Sequence, residues 1–123
     1  MLKVHTRNLG NVAVVCLQGR FVNGETASLR RAIDSQSRVS AVVLDLARVS
    51  TIDAGGLGLM LELRKQTESR GIRFKLMNPS KSVNRVLEIT RLDSVFEVSS
   101  GAEFLPAISR ARPARAMEFA PCA

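Results

Sequence analysis

An apolar run interrupted only by Asp45, Ala41-Val42-Val43-Leu44-Asp45-Leu46, stands six residues before the glycine-rich stretch Asp53-Ala54-Gly55-Gly56-Leu57-Gly58-Leu59-Met60. The run has the length and composition of a strand buried on both faces, as in a central parallel strand. The segment after it has helical character as far as Arg70-Gly71, where glycine provides a stop. Asp53 is placed to cap the start of that helix. Strand, acidic turn and helix in this order require a crossover back to a parallel neighbour. This excludes an all-helical or purely antiparallel fold.

The flanking segments extend the pattern. Val12-Ala13-Val14-Val15-Cys16-Leu17 reads as a second strand buried on both faces, paired with Leu2 to Arg7 through a turn at Asn8-Leu9-Gly10-Asn11. Asn23 is positioned to cap a first helix with Leu29, Ala32 and Ile33 on one face. Leu57, Leu59, Met60, Leu61 and Leu63 predict a well-buried first half for the second helix. Ile72, Phe74 and Leu76 alternate with Arg73 and Lys75, as in a strand with one wetter face. Asn78-Pro79 predicts a third helix start, with Val83, Val86, Leu87 and Thr90 on its buried face. Val95-Phe96-Glu97-Val98 predicts a short last strand. Ser100-Gly101-Ala102-Glu103 has the form of a capping box, although Pro106 moves the helix start towards Glu103 or bends the helix. The expected architecture is α/β, a mixed sheet of four to five strands flanked by about four helices. Residues 1–111 form the domain, and 112–123, rich in Ala, Pro and Arg, form a disordered tail.

These residues carry a family resemblance. Thr51-Ile52-Asp53-Ala54-Gly55-Gly56-Leu57-Gly58 resembles the signature of the STAS domain family, the anti-sigma-factor antagonists, which reads roughly Asp-Ser-Ser-Gly-Leu-Gly. Leu17-Gln18-Gly19-Arg20-Phe21 resembles the family's Leu-x-Gly-Glu-Leu, and Asn78-Pro79-Ser80-Lys81-Ser82-Val83 resembles its third helix start. The similarity runs from about Val4 to Ala111. It implies a non-enzymatic protein-interaction module whose partner is an anti-sigma factor of serine-kinase type, acting in bacterial transcription regulation and signalling.

Four departures qualify that implication. In the family the second serine accepts a phosphate. Here Gly55 stands in its place, Ala54 replaces the serine before it, and no phosphoacceptor is expected at the turn. Arg20 reverses the sign of a glutamate, and Val22 falls where many members carry an acidic residue. Ser50 and Thr51 are nearby hydroxyls, but they precede the turn. Asp53-Ala54-Gly55-Gly56-Leu57 also resembles the Asp-Thr-Gly-Gly-Leu of STAS subunits on the ATPase of Mla-type lipid ABC transporters, which is the alternative function. The partner-binding residues expected are Val22, Asn23, Asp53, Ala54, Gly55 and Gly56. Small residues at 54 and 55 would let a partner approach closely. Gly55→Asp would be tolerated by the fold, since a carboxylate suits a helix start.

Composition narrows the remaining classes. No catalytic set accompanies Asp45 and Asp53, His5 is the sole histidine, and Gly55-Gly56-Leu57-Gly58 lacks the Gly-Lys-Ser/Thr ending of a phosphate-binding loop. No metal ligands and no cofactor are expected. Anion or nucleotide binding at the helix start stays open, as does a homodimer. Eighteen Lys and Arg against eleven Asp and Glu give a net charge of +7 over 123 residues. With no Trp or Tyr to stack on bases and no recognition motif, nucleic acid is not an expected partner. No run approaches the ~20 apolar residues of a membrane span, and the N-terminus lacks the apolar core of a signal peptide, so cytoplasmic localisation without membrane insertion is expected.

Overall fold

Pairing of the apolar runs builds one sheet of five strands in the order β1-β2-β3-β4-β5. A computed structural model describes residues 2–36 and 38–99. The expected last helix and the tail from residue 112 lie outside the described residues. β1 (Lys3–Leu9) and β2 (Val12–Phe21) form an antiparallel hairpin, while β3 (Ala41–Ile52), β4 (Arg73–Met77) and β5 (Glu97–Ser99) add on in parallel. The hairpin loop is tighter than the sequence suggests: Leu9 pairs with Val12, leaving Gly10 (φ +63°) and Asn11 to turn the chain. Among the described residues there are three α-helices, α1 (Ala27–Asp34), α2 (Ala54–Ser69) and α3 (Lys81–Ile89), with a 3-10 turn at Leu92–Ser94.

All three helices bury their apolar faces in one cluster. Leu29 and Ile33 of α1, Leu57, Leu59, Met60 and Leu63 of α2, and Val83 and Leu87 of α3 pack with Val15, Leu17, Val42, Leu44, Phe74 and Leu76 of the strands. Strand alternation places Val14, Cys16, Val43 and Met77 in a smaller buried cluster on the other face. Leu61 was expected inside, but it turns away from the sheet and is 37% exposed.

Several boundaries move for physical reasons. β3 continues six residues past Leu46, because Val49 and Ile52 still reach the core while Ala47, Arg48, Ser50 and Thr51 are exposed. Its pairing with β2 shifts register between Cys16 and Gln18 and between Gly19 and Arg20, with Gly19 at φ +109°. Asn23 does not cap α1. Thr26 holds that position without a side-chain bond, and Asn23 is engaged elsewhere. The start of α3 moves from Asn78-Pro79 to Ser80, whose Oγ accepts from the Val83 N–H (3.4 Å) and donates to the Val49 carbonyl (2.7 Å). Asn78 sits at φ +51°, outside helical geometry. The last strand begins at Glu97. Phe96, just before it, is buried against Phe74 with ring centroids 6.1 Å apart.

Asp45 is the one buried carboxylate among the described residues, 4% exposed and level with Cys16 and Met77 across the sheet. Its Oδ1 accepts the Ala47 N–H at 3.0 Å. Burial raises its pKa, and the Ala47 N–H and the Arg48 charge only partly offset this. A carboxyl with a raised native pKa binds more protons folded than unfolded. Stability therefore falls as pH rises through that window, and the full cost remains at neutral pH. Asp45→Asn, which keeps an acceptor for Ala47, should raise the melting temperature at pH 7, with the gain shrinking as pH falls through the raised native pKa towards the ordinary carboxylate value. Thermal melts from pH 4 to 7 test this, and a lower melting temperature for the variant at pH 7 would reverse the assignment.

Candidate functional site

The extension of β3 delivers the acidic turn to the end of β2. Phe21 is fully buried and pairs with Ile52, and its carbonyl accepts the Asp53 N–H at 3.3 Å. Asp53 then leaves the strand in an extended conformation (φ −112°, ψ −176°) and caps α2 as expected. Its Oδ1 accepts the Gly56 N–H at 2.9 Å, and its backbone carbonyl accepts the Leu57 N–H at 2.9 Å. The carboxylate has a further donor that the sequence conceals. The Asn23 N–H lies 3.2 Å from both Oδ1 and Oδ2, although the two residues are far apart in the chain. The Gly56 N–H first, and then the Asn23 N–H, hold the Asp53 carboxyl below the usual carboxylate range.

The β2–α1 loop is thereby fastened to the start of α2. It is folded on itself by a Glu25 N–H to Val22 carbonyl bond of 3.2 Å, with Gly24 at φ +89°. Asn23, Asp53 and Ala54 are exposed, and Val22 and Gly55 are half-buried. Five of the six candidate residues therefore share one small surface of two loops. Gly56 is buried and does not belong to that surface. A Cβ there would stand 2.3 Å from the Phe21 carbonyl oxygen and 2.9 Å from the Phe21 ring and from Ile52 Cγ1.

Gly55 is also constrained. A Cβ at 55 would meet Asn23 Cβ at 2.6 Å and Asn23 Cα at 3.0 Å. The expectation that Gly55→Asp leaves the fold intact is therefore corrected: the favourable charge at a helix start comes with a collision against the neighbouring loop. Gly58, one turn on, faces open space. The Ser50 hydroxyl donates to the Gly19 carbonyl at 3.2 Å.

Behind the surface, Arg30 of α1 and Glu62 of α2 form a two-pronged ion pair of 3.0 and 3.1 Å, which draws Glu62 below and Arg30 above their ordinary pKa values. An open cavity of about 330 Å³ lined by Arg30, Asp34, Gln66, Ser69 and Arg70 lies towards the other end of α2. Among the described residues no group of three His, Cys, Asp or Glu is placed to hold a metal ion, and no helix is long and apolar enough to cross a membrane.

Comparison with known proteins matches this geometry. The STAS domain family model covers residues 3–104. A STAS-domain containing protein of Pseudomonas aeruginosa is 29% identical over 94 residues, spanning 73% of this chain and 90% of that protein. A Thermotoga maritima protein named as a candidate anti-sigma factor antagonist is 35% identical over 57 residues, which cover 46% of this chain and 50% of the relative. The anti-sigma factor antagonist SpoIIAA in its unphosphorylated form superposes with a TM-score of 0.69 at 23% identity, covering 90% of this chain and 97% of that one. The phosphorylated form from Bacillus gives 0.65 at 24% identity, with 89% and 100% covered.

Proposed function

We propose that this chain, which belongs to the STAS domain family, binds an anti-sigma factor of serine-kinase type through the surface formed by Val22, Asn23 and Asp53 to Gly55. In this reading it is a non-enzymatic, cytoplasmic antagonist that binds without a phosphate switch at the motif turn. The relatives named for anti-sigma antagonism support the class of partner. The observation that carries the site is the fastening of two loops into one exposed surface by the Asp53 carboxylate. A pre-organised surface loses less conformational freedom on docking. The Asn23 carboxamide is exposed and has no hydrogen-bond partner among the described residues, so it offers one acceptor and two donors to a partner backbone.

Ala54 is the position at which to test this. It is exposed at the first turn of α2, where an added carboxylate suits the helix but places a charge in the surface. Ala54→Glu should weaken binding to the anti-sigma factor of the source organism by about tenfold or more. Ser69→Glu, which adds the same charge at the far end of α2, should leave it unchanged. Titration calorimetry on both variants decides the matter. Equal affinities would remove the interface from this turn. If the unmodified chain binds no anti-sigma factor and instead co-purifies with an ABC ATPase, the Mla-type reading replaces the first.

A further inference from the structure

We propose that Asn23 is a positioning residue that closes the motif turn against any side chain at position 55, so that a phosphoacceptor cannot be reinstated there by changing Gly55 alone. The absent hydroxyl is one barrier to phospho-switching. The fit of the β2–α1 loop is a second, independent barrier.

The geometry is specific. The Asn23 backbone is held in place because its N–H is shared between the two Asp53 oxygens, each at 3.2 Å. The same carboxylate fixes the first turn of α2 through the Gly56 N–H at 2.9 Å. The loop and the helix start therefore converge on one anchor and cannot separate without giving up a bond. Into this gap a Cβ at 55 would project to 2.6 Å from Asn23 Cβ, 3.0 Å from Asn23 Cα and 3.1 Å from Asn23 Cγ. Real Cβ atoms essentially never approach that closely, so the loop must shift. The contact to be relieved is with Cβ and Cα, which move only with the backbone; rotating the flexible end of the side chain does not remove it. Displacing the loop takes the Asn23 N–H away from Asp53. Removing the Asn23 side chain clears the 2.6 Å and 3.1 Å contacts and leaves the 3.0 Å approach to Cα as the shortest, which a few tenths of an ångström of loop movement relieves.

The consequence for phospho-switching rests on the docking reading above, whereas the steric coupling does not. Four proteins test the coupling without any partner: the unmodified chain, Gly55→Ser, Asn23→Gly, and the double variant. Gly55→Ser should lower the melting temperature by roughly 5–15 °C, the effect of overpacking in a domain of this size. Asn23→Gly alone should lower it slightly. The double variant should recover most of the Gly55→Ser loss, in place of adding to it. Carboxyl NMR titration of Asp53 supplies a readout that general destabilisation would not move. In Gly55→Ser the Asp53 midpoint should rise towards the ordinary carboxylate value as the Asn23 N–H is withdrawn. In the double variant it should return, because a glycine at position 23 keeps the backbone N–H. Additive melting losses, or an Asp53 midpoint unchanged by Gly55→Ser, would overturn the proposal. If Gly55→Ser does not fold, a folded double variant still supports it, and failure of both variants to fold overturns it.

Discussion

Gly56→Ala should cost more than about 3 kcal/mol, at or above the upper end of the range for overpacking. The added methyl would lie 2.3 Å from the Phe21 carbonyl oxygen, which is backbone and already accepts the Asp53 N–H. Ile52 Cγ1 and the Phe21 ring, each 2.9 Å from the same point, close the other directions of escape. Separation of α2 from the end of β2 would relieve the contact, and that would pull the Asp53 N–H away from the Phe21 carbonyl. Gly58→Ala is the matched control, two residues along the same helix. Its Cβ would meet nothing within 4 Å, and its backbone needs no positive φ. It should stabilise the fold by roughly 0.5–1 kcal/mol through helix propensity and reduced freedom of the unfolded chain. Urea unfolding of both variants measures the contrast. A Gly56→Ala protein with an unchanged midpoint would show that α2 does not approach β2 this closely.

The paired glycines also show what can be read from a sequence of this kind. Gly55, Gly56 and Gly58 are chemically identical letters in one motif. One is excluded from having a side chain by a loop, one by a strand carbonyl, and one not at all. Those differences arise from contacts with Asn23 and Phe21, far back in the chain, and no local pattern encodes them. What local pattern does encode was legible. The apolar runs marked the strands, Asp53 marked the α2 cap, and Gly71 at φ +76° marked its end. The second half of β3 was not legible because its residues stop being uniformly apolar once one face meets water. Asn23 was misread as a helix cap because asparagine suits that role in isolation, whereas here its backbone N–H serves the cap of a different helix. At the site, the sequence indicated the two loops but not the single carboxylate that joins them. The Asp53–Asn23 link uses a backbone donor, which every residue except proline carries, so it left no mark in residue identity.

The same joint makes Phe21→Ala the substitution expected to affect the site most strongly from within the core. Phe21 is fully buried, and truncating such a side chain costs about 3–5 kcal/mol. Its position adds a local effect to the global one. Its ring is the surface against which Gly56 rests, and its backbone holds Asp53 through the 3.3 Å bond. With the ring gone, the helix start loses its seat while the hydrogen bonds that depend on it remain chemically possible. The turn should therefore open more often than the rest of the sheet. Phe74→Ala provides the comparison, since Phe74 is 1% exposed and packs on Phe96 from β4, away from the turn. Both variants should lose similar global stability by urea unfolding. Native-state hydrogen exchange should then separate them. Relative to the central amides of β3, the Asn23 and Gly56 amides should lose protection in Phe21→Ala and keep it in Phe74→Ala. If both variants lose protection at the turn in equal proportion, Phe21 is an ordinary core residue and the surface is held by its hydrogen bonds alone. A selective loss would place the rigidity of the proposed docking surface in one buried ring, beneath a site whose exposed residues carry little of their own packing.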